Sequence, residues 1–349
     1  MSFFRKFLEK EPVEASAPCR LDMGGTLDLS TFYLPLRHLK PCTFNVAVDM
    51  RTRVRLLPHQ DGRIKISSRG FDPIDVESKT APFSSPVGLM LAVAAFFNSD
   101  GIHIQIDSSS PPRSALGGSS VAAAALVWAL SKVAAKEGQP LPDPGRVAGW
   151  AHAIEQSVAG VPCGMQDHLA AVYGGINGWC WTGGNKGDIG YQRMELIAPE
   201  GYPEFNKRIL VAYCGVPHVS KDINGTWVRD FLAGRHRDTW HQIITHSRKF
   251  IEALARCDYP SAISAMNAET DLRVHMTPEV LDKMGNALMT AARRNGCGAR
   301  FTGAGGGGCL WALGAPDRIG GLLPKWEEIL AGRPEATLLN VTVDANGIL

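Results

Sequence analysis

Apolar residues recur along this chain in two rhythms, and the rhythm changes from segment to segment. Ile102, Ile104 and Ile106 alternate with His103 and Gln105, the period of a strand. Residues 44–56 and 63–67 show the same branched alternation, and the Gln-Asp-Gly at 60–62 between them predicts a hairpin turn. Apolar runs at 179–182, 191–197, 208–214, 309–313 and 337–343 predict further strands, with an exposed turn at 183–188. Residues 17–28 read as a strand running into a turn. Helices are expected in the first dozen residues and over 87–97, 121–130, 145–158, 238–257, 260–273, 278–295 and 318–330, with a short one carrying Asp167. Two of them have start signals: Asp143 before Pro144, and Thr277 before Pro278 and Glu279.

A chain of 349 residues reads as two domains, and the proline-bearing connector near 199–203 divides it into 1–203 and 204–349. The net charge of +2 argues for neither nucleic acid nor a membrane surface as partner, and neither is expected. Eight cysteines without a CxxC pair signal neither a zinc site nor a disulfide framework, so reduced thiols are expected. The first residues lack the apolar run of a signal peptide, and no stretch of about 18 apolar residues stands out. The expectation is a cytoplasmic protein.

Candidate chemistry concentrates in a few places. PPRSALGGSSV, residues 111–121, joins the 102–107 strand to an apolar helix. Small residues at such a junction let backbone N–H groups crowd an anion while the helix N-terminus adds positive charge, which suits a phosphate. A plain loop with Ser119 or Ser120 as N-cap fits the same residues. RLDMGGTLD, residues 20–28, sets Arg20, two carboxylates and a double glycine where a strand enters a turn, a good place to meet a small ligand. The plainer reading there is turn capping by Asp28 and a solvated Arg20. Glu155 falls in the last turns of its helix, against the helix dipole, where a bound cation would balance it. Asp167 stands in a first helical turn, where it can cap or, beside a cation such as Arg20, take a proton from a hydroxyl.

Other features carry less. Arg51, Arg53 and Arg55 share one strand face and read as solvated. His236, His241 and His246 do not stack on one helix face and predict no metal site. GARFTGAGGGGC, residues 298–309, is costly to order, which favours close backbone approach. Its match to GxGxxG runs into a strand instead of a helix, so a dinucleotide fingerprint is not met, and GxxxxGK[ST] is absent.

Three of these stretches, in order, resemble the motifs of the GHMP kinase superfamily. Residues 17–28 (APCRLDMGGTLD) are similar to its substrate-side motif in sugar-acting members, 111–120 to its Pro-x-x-x-Gly-Leu-Gly-Ser-Ser phosphate loop, and 298–309 to its C-terminal glycine motif. Residues 151–175, AHAIEQSVAGVPCGMQDHLAAVYGG, resemble the heptose 7-phosphate kinases and fucokinases, and more distantly the galactokinases. The chain departs from the pattern at Ala115 and Gly118, and by one residue between Arg20 and Asp28.

The resemblance implies an α+β fold of two domains, the first like ribosomal protein S5 domain 2 and the second ferredoxin-like. It implies an ATP-dependent, Mg2+-assisted kinase acting on a sugar or sugar phosphate, at the anomeric hydroxyl first of all. Asp167 takes the position of the catalytic carboxylate and Arg20 that of its basic partner. Ser114, Ala115, Leu116, Gly117, Gly118, Ser119 and Ser120 would surround the nucleotide phosphates. Glu155 and Ser119, with Ser120 as its neighbouring alternative, match the magnesium side. Asp28, Gly24, Gly25, Gly303, Ala304 and Gly305 match the substrate side. A phosphate on the substrate would require further cations, such as Arg37, Lys40 or Lys221. The same motifs would also serve a small-alcohol kinase or an idle sensor of sugar or nucleotide.

Overall fold

The computed structural model describes residues 2–160, 162–184, 190–217 and 223–349. The first part runs α1 (Phe3–Leu8), β1 (Val13–Met23), α2 (Ser30–Tyr33), β2 (Cys42–Pro58), β3 (Arg63–Ser68), β4 (Phe71–Glu77) and α3 (Gly88–Phe96). Next come β5 (Ile102–Ser108), α4 (Gly118–Ala135), α5 (Pro144–Val158), α6 (Gln166–Tyr173), β6 (Ile176–Trp181) and β7 (Tyr191–Ile197). The chain continues with α7 (Tyr202–Asn206), β8 (Ile209–Tyr213), α8 (Ile223–Leu232), α9 (Arg237–Ala255) and α10 (Tyr259–Met276). It closes with α11 (Lys283–Arg294), β9 (Gly298–Phe301), β10 (Cys309–Leu313), α12 (Pro316–Leu330) and β11 (Thr337–Leu339).

The long strand β2 is the spine of the first sheet. One edge pairs with β1; the other pairs with β6 near its start and with β5 near its end. The order β4-β3-β5-β2-β6-β7 sets β5 between β2 and β3. The turn at 60–62 exists, closed by Arg63 N–H on Gln60 C=O at 3.1 Å, but the strands it joins are not neighbours, so the expected hairpin is absent. Burial accounts for this: Ile102 and Ile104 of β5 are wholly buried and fill the space beside Val54, Leu56, Ile64 and Ile66. β4 is a mostly exposed edge strand whose apolar alternation is limited to Ile74 and Val76, behind an Asp-Pro pair, too short a signal to predict it.

Helices α3 to α6 pack together beside the first sheet, with α4 and α6 against β1 and β2. By length and composition α4 could cross a membrane, contrary to the expectation that no such stretch stands out; 67% of it is buried inside the fold. The second sheet, β11-β8-β10-β9, is antiparallel throughout. Phe44 of β2 packs edge-on to Phe250 of α9 at 5.0 Å and stacks on Trp311 of β10 at 6.0 Å, joining the two sheets through apolar contact.

Two more expectations fail. Pro278–Val280 forms a 3-10 turn, and α11 begins only at Lys283 with Asp282 as its cap, accepting from Gly285 N–H at 2.8 Å. Val280 and Leu281 are buried instead of continuing a helical face. Cys42 and Cys180 form a disulfide across β2 and β6, although no disulfide was signalled. Their separation of 138 residues leaves no spacing pattern to read. Most of the expected 183–188 turn lies outside the described residues.

Candidate active site

The 111–117 loop feeds directly into α4, whose N-cap is Gly117 at φ +83° with no side chain capping the first N–H groups. The expected serine cap is missing because both hydroxyls turn to α5. Ser119 Oγ donates to Glu155 Oε1 at 3.0 Å and Ser120 Oγ to Oε2 at 2.7 Å. The first-turn N–H groups of α4 are therefore unclaimed by side chains at a cleft wall, a ready site for an anion.

Glu155 is buried, and His168 on α6 brings Nε2 to 2.8 Å from Oε2. Burial works to raise this carboxyl, but His168 and the two hydroxyls outweigh it and hold it down at about 2. These neighbours balance the charge that opposes the helix dipole. One carboxylate and two hydroxyls are hard oxygen donors, which fits Mg2+ taking its other ligands from phosphate and water.

Arg20 lies on β1 and is 3% exposed, not solvated. Its guanidinium forks onto Asp167, Nε to Oδ1 at 2.7 Å and Nη2 to Oδ2 at 2.8 Å. Nη1 donates to Ala115 C=O at 2.7 Å, and the Arg20 N–H donates to Leu116 C=O at 3.1 Å. Burial disfavours the guanidinium charge, but Asp167 and Asp22 more than reverse this and raise its pKa above the ordinary value. One side chain thus ties the phosphate-loop candidate to the first turn of α6. Asp167 caps nothing; it is partly open to the cleft.

Asp28 lies on the same cleft. Its Oδ2 accepts from Gln166 N–H at 3.0 Å, and a Cβ at residue 164 would fall 1.9 Å from that oxygen, so glycine is required there. Burial pushes the Asp28 carboxyl up to about 6, against the Gln166 hydrogen bond and with help from the Asp167 charge. Cys163, beside it, has its thiol pushed up by burial and then by Glu155 and Asp167, so it stays protonated.

The 298–309 glycine motif closes against the loop from the second sheet. Gly308, at φ +80°, leaves no room for a Cβ, which would fall 2.6 Å from Ser114 O. Gly25, Ser114, Ala115, Gly303 and Ala304 join the carboxylates on the wall of a cleft of about 540 Å3. Leu116, Gly24 and Gly305 stand behind that wall. Leu116 is buried, Gly24 backs onto Ser247, and Gly305 backs onto Val280. Arg37 and Lys40 are on the exposed surface and not on the cleft; Lys221 lies outside the described residues.

Sequence reasoning passed over His168, Gly164 and Arg300, and gave Asp22 and Gln166 no role of their own. The strongest available signal was for Arg300, a charge within a strand that is buried throughout.

Residues 86–175 match the family model of the GHMP kinases N-terminal domain. The chain is 25% identical to the mevalonate kinase of Thermococcus sibiricus over 334 residues, covering 88% of this chain and 90% of that one. Its fold superposes on the Lactococcus lactis galactokinase complexed with galactose with a TM-score of 0.71, 17% identity and coverage of 99% and 97%. A D-glycero-D-manno-heptose 1-phosphate kinase from Bacteroides thetaiotaomicron gives a TM-score of 0.69 at 15% identity, with coverage of 96% and 97%. Residues 86–175 thus match the N-terminal domain of the GHMP kinases, and the two-sheet α+β chain around them has the GHMP kinase fold.

Proposed function

We propose that this chain transfers the γ-phosphate of ATP to a hydroxyl of a sugar or sugar phosphate, the anomeric hydroxyl of a heptose 7-phosphate or fucose type of substrate first among them. The observation that carries the proposal is the Arg20–Asp167 fork, which sits between an uncapped helix N-terminus and the buried Asp28 in one cleft.

Phosphoryl transfer needs alignment and charge compensation more than covalent chemistry. The 114–120 turn binds the nucleotide phosphates through backbone N–H groups. Ser119, with Ser120 beside it, and Glu155 would hold Mg2+, which when bound neutralises phosphate charge. Asp28 accepts hydrogen bonds from substrate hydroxyls. Asp167 takes the proton of the attacking hydroxyl as its oxygen bonds to the γ-phosphorus and the bond to the ADP oxygen breaks. Arg20 fixes that carboxylate and offsets charge in the transition state. An anomeric hydroxyl is more acidic than an ordinary alcohol, which suits a carboxylate base.

The mevalonate kinase likeness favours a second reading, a small-alcohol kinase. Asp28 on the same cleft as Asp167 favours the sugar reading over it, because a second carboxylate there can accept hydrogen bonds from the further hydroxyls a sugar carries. The test is ADP release with Mg-ATP against free sugars, sugar phosphates and mevalonate, run alongside Asp167→Asn. Turnover on a sugar, reduced about 10²-fold or more in the variant, is expected. Turnover on mevalonate alone overturns the sugar reading, and full activity in Asp167→Asn overturns the assignment of the base.

A further inference from the structure

Asp22 stands between Arg20 and the double glycine, is fully buried, and reaches several walls of the site. Oδ1 accepts from Gly303 N–H at 2.7 Å and lies 3.6 Å from Arg20 Nη1. Oδ2 lies 3.4 Å from Arg300 Nη1 and 3.5 Å from Gln166 Nε2. Arg300 Nε in turn donates to Glu269 Oε2 at 2.9 Å, and Arg273 Nε donates to Glu269 Oε1 at 2.9 Å. Arg273 then comes back to the 24–28 loop, donating through Nη2 to Gly25 C=O at 2.7 Å and through Nη1 to Thr26 Oγ1 at 2.8 Å.

Asp167, Arg20, Asp22, Arg300, Glu269 and Arg273 therefore alternate in sign along one connected path. It starts at the proton acceptor and ends on the loop that carries Asp28. Buried ion pairs are poor evidence of stability, since apolar residues of similar volume serve as well. What alternating charges supply here is fixed geometry among four segments distant in sequence: 20–28, 166–167, 269–273 and 300–303.

We propose that Asp22 is a positioning residue, which locks the C-terminal glycine motif and the acceptor loop to Arg20 and Asp167 as one rigid constellation. The proposal rests on Asp167 as the proton acceptor. Within the path it is Asp22 that bonds the Gly303 backbone of the glycine motif. Loss of its charge leaves the 114–120 turn in place, and Asp28 on its own bond from Gln166 N–H, but leaves Gly303 and Arg300 to compete for the one oxygen that remains and so loosens Gly303 against Arg20. Binding survives while alignment suffers.

The experiment measures Asp22→Asn with Mg-ATP and the best acceptor from the sugar, sugar phosphate and mevalonate panel, together with backbone amide exchange at 302–305. The expected result is kcat lower by about tenfold to a hundredfold, both KM values within about threefold, and faster exchange at 302–305. If Asp22→Asn does not fold, Asp22→Asn combined with Arg300→Gln removes the cation that has lost one of its two carboxylates, and the same split is expected. A kcat per folded molecule equal to that of the unaltered protein overturns the proposal, as does a loss carried in KM. Asp167→Asn run in parallel separates the two ideas. If it is inactive while Asp22→Asn is fully active, the positioning role falls alone. If it is fully active while Asp22→Asn shows the split, the base assignment falls and the link from Gly303 to Arg20 stands.

Discussion

Asp28 is kept in the fold at a cost in stability, and that cost depends on pH. Its carboxyl titrates near 6 in the folded chain against an ordinary value of 3.8. Between those values the folded state holds a proton that the unfolded chain has lost, so stability falls as pH rises through this window, by at most about 3 kcal/mol. Asp28→Asn is expected to melt higher than the unaltered protein at pH 8, with the gain vanishing at pH 4, while the acceptor KM rises. Thermal unfolding at the two pH values checks this; a difference that does not change with pH sinks it. Arg20, Asp28, Glu155 and Asp167 stand out in the sequence as charges in otherwise apolar or turn-forming stretches, but the roles expected of them came from the family resemblance, since by themselves Arg20 read as solvated and Asp28 as a turn cap. Asp22 and His168 were not legible, because their meaning lies in partners such as Gly303 and Glu155, far away in sequence.

At the scale of elements, the junction between the 111–117 loop and the glycine motif is governed by clearance. A methyl at 308 would fall 2.6 Å from Ser114 O and 2.7 Å from Ala115 Cβ, at a φ of +80° that L side chains seldom adopt. Gly308→Ala should therefore displace the loop, lowering stability by about 1–3 kcal/mol and raising the KM for ATP severalfold. Gly149→Ala, in mid-α5 with nothing within 4 Å of the new methyl, is the contrast. It should leave the KM for ATP unchanged and stabilise by about 0.5–1 kcal/mol. Equal effects from both would remove the clearance argument. Element types were largely readable from apolar period. Their neighbours were not: the 60–62 turn looked like a hairpin because β5, which separates β2 from β3, arrives some forty residues later. Likewise Ser119 and Ser120 looked like caps because the carboxylate that engages them sits on another helix.

For the molecule as a whole, the segment beyond β11 crosses from the second sheet to the first and lies over the end of the helix that carries Asp167. Asp344 N–H donates to Ala47 C=O at 2.9 Å, Gly175 N–H to Asp344 C=O at 2.8 Å, and Leu349 N–H to Ser16 C=O at 2.9 Å. Arg51, expected to be a solvated charge, is the clasp of this strap. Its guanidinium donates to Ser16 C=O at 2.9 Å and Gly347 C=O at 2.7 Å, and pairs with the Asp344 carboxylate. Nothing local could distinguish it from Arg53 and Arg55, which share its strand face. Truncation in Arg51→Ala takes the guanidinium from the Gly347 carbonyl and the Asp344 carboxylate and leaves Ser16 C=O with Leu349 N–H alone, a loss of about 2–3 kcal/mol for a partly buried charged cluster. The expected outcome is a Tm lower by several degrees and amide exchange accelerated at 342–349 before the rest of the chain. Arg53→Ala, with no comparable set of bonds on the strap, is expected to change neither. If Arg51→Ala melted with the unaltered protein, or exchanged faster only together with the whole fold, the strap would be a passive overlay, and the two sheets would be joined without its help, by contacts such as those of Phe44, Phe250 and Trp311 and the bonds of Asp22.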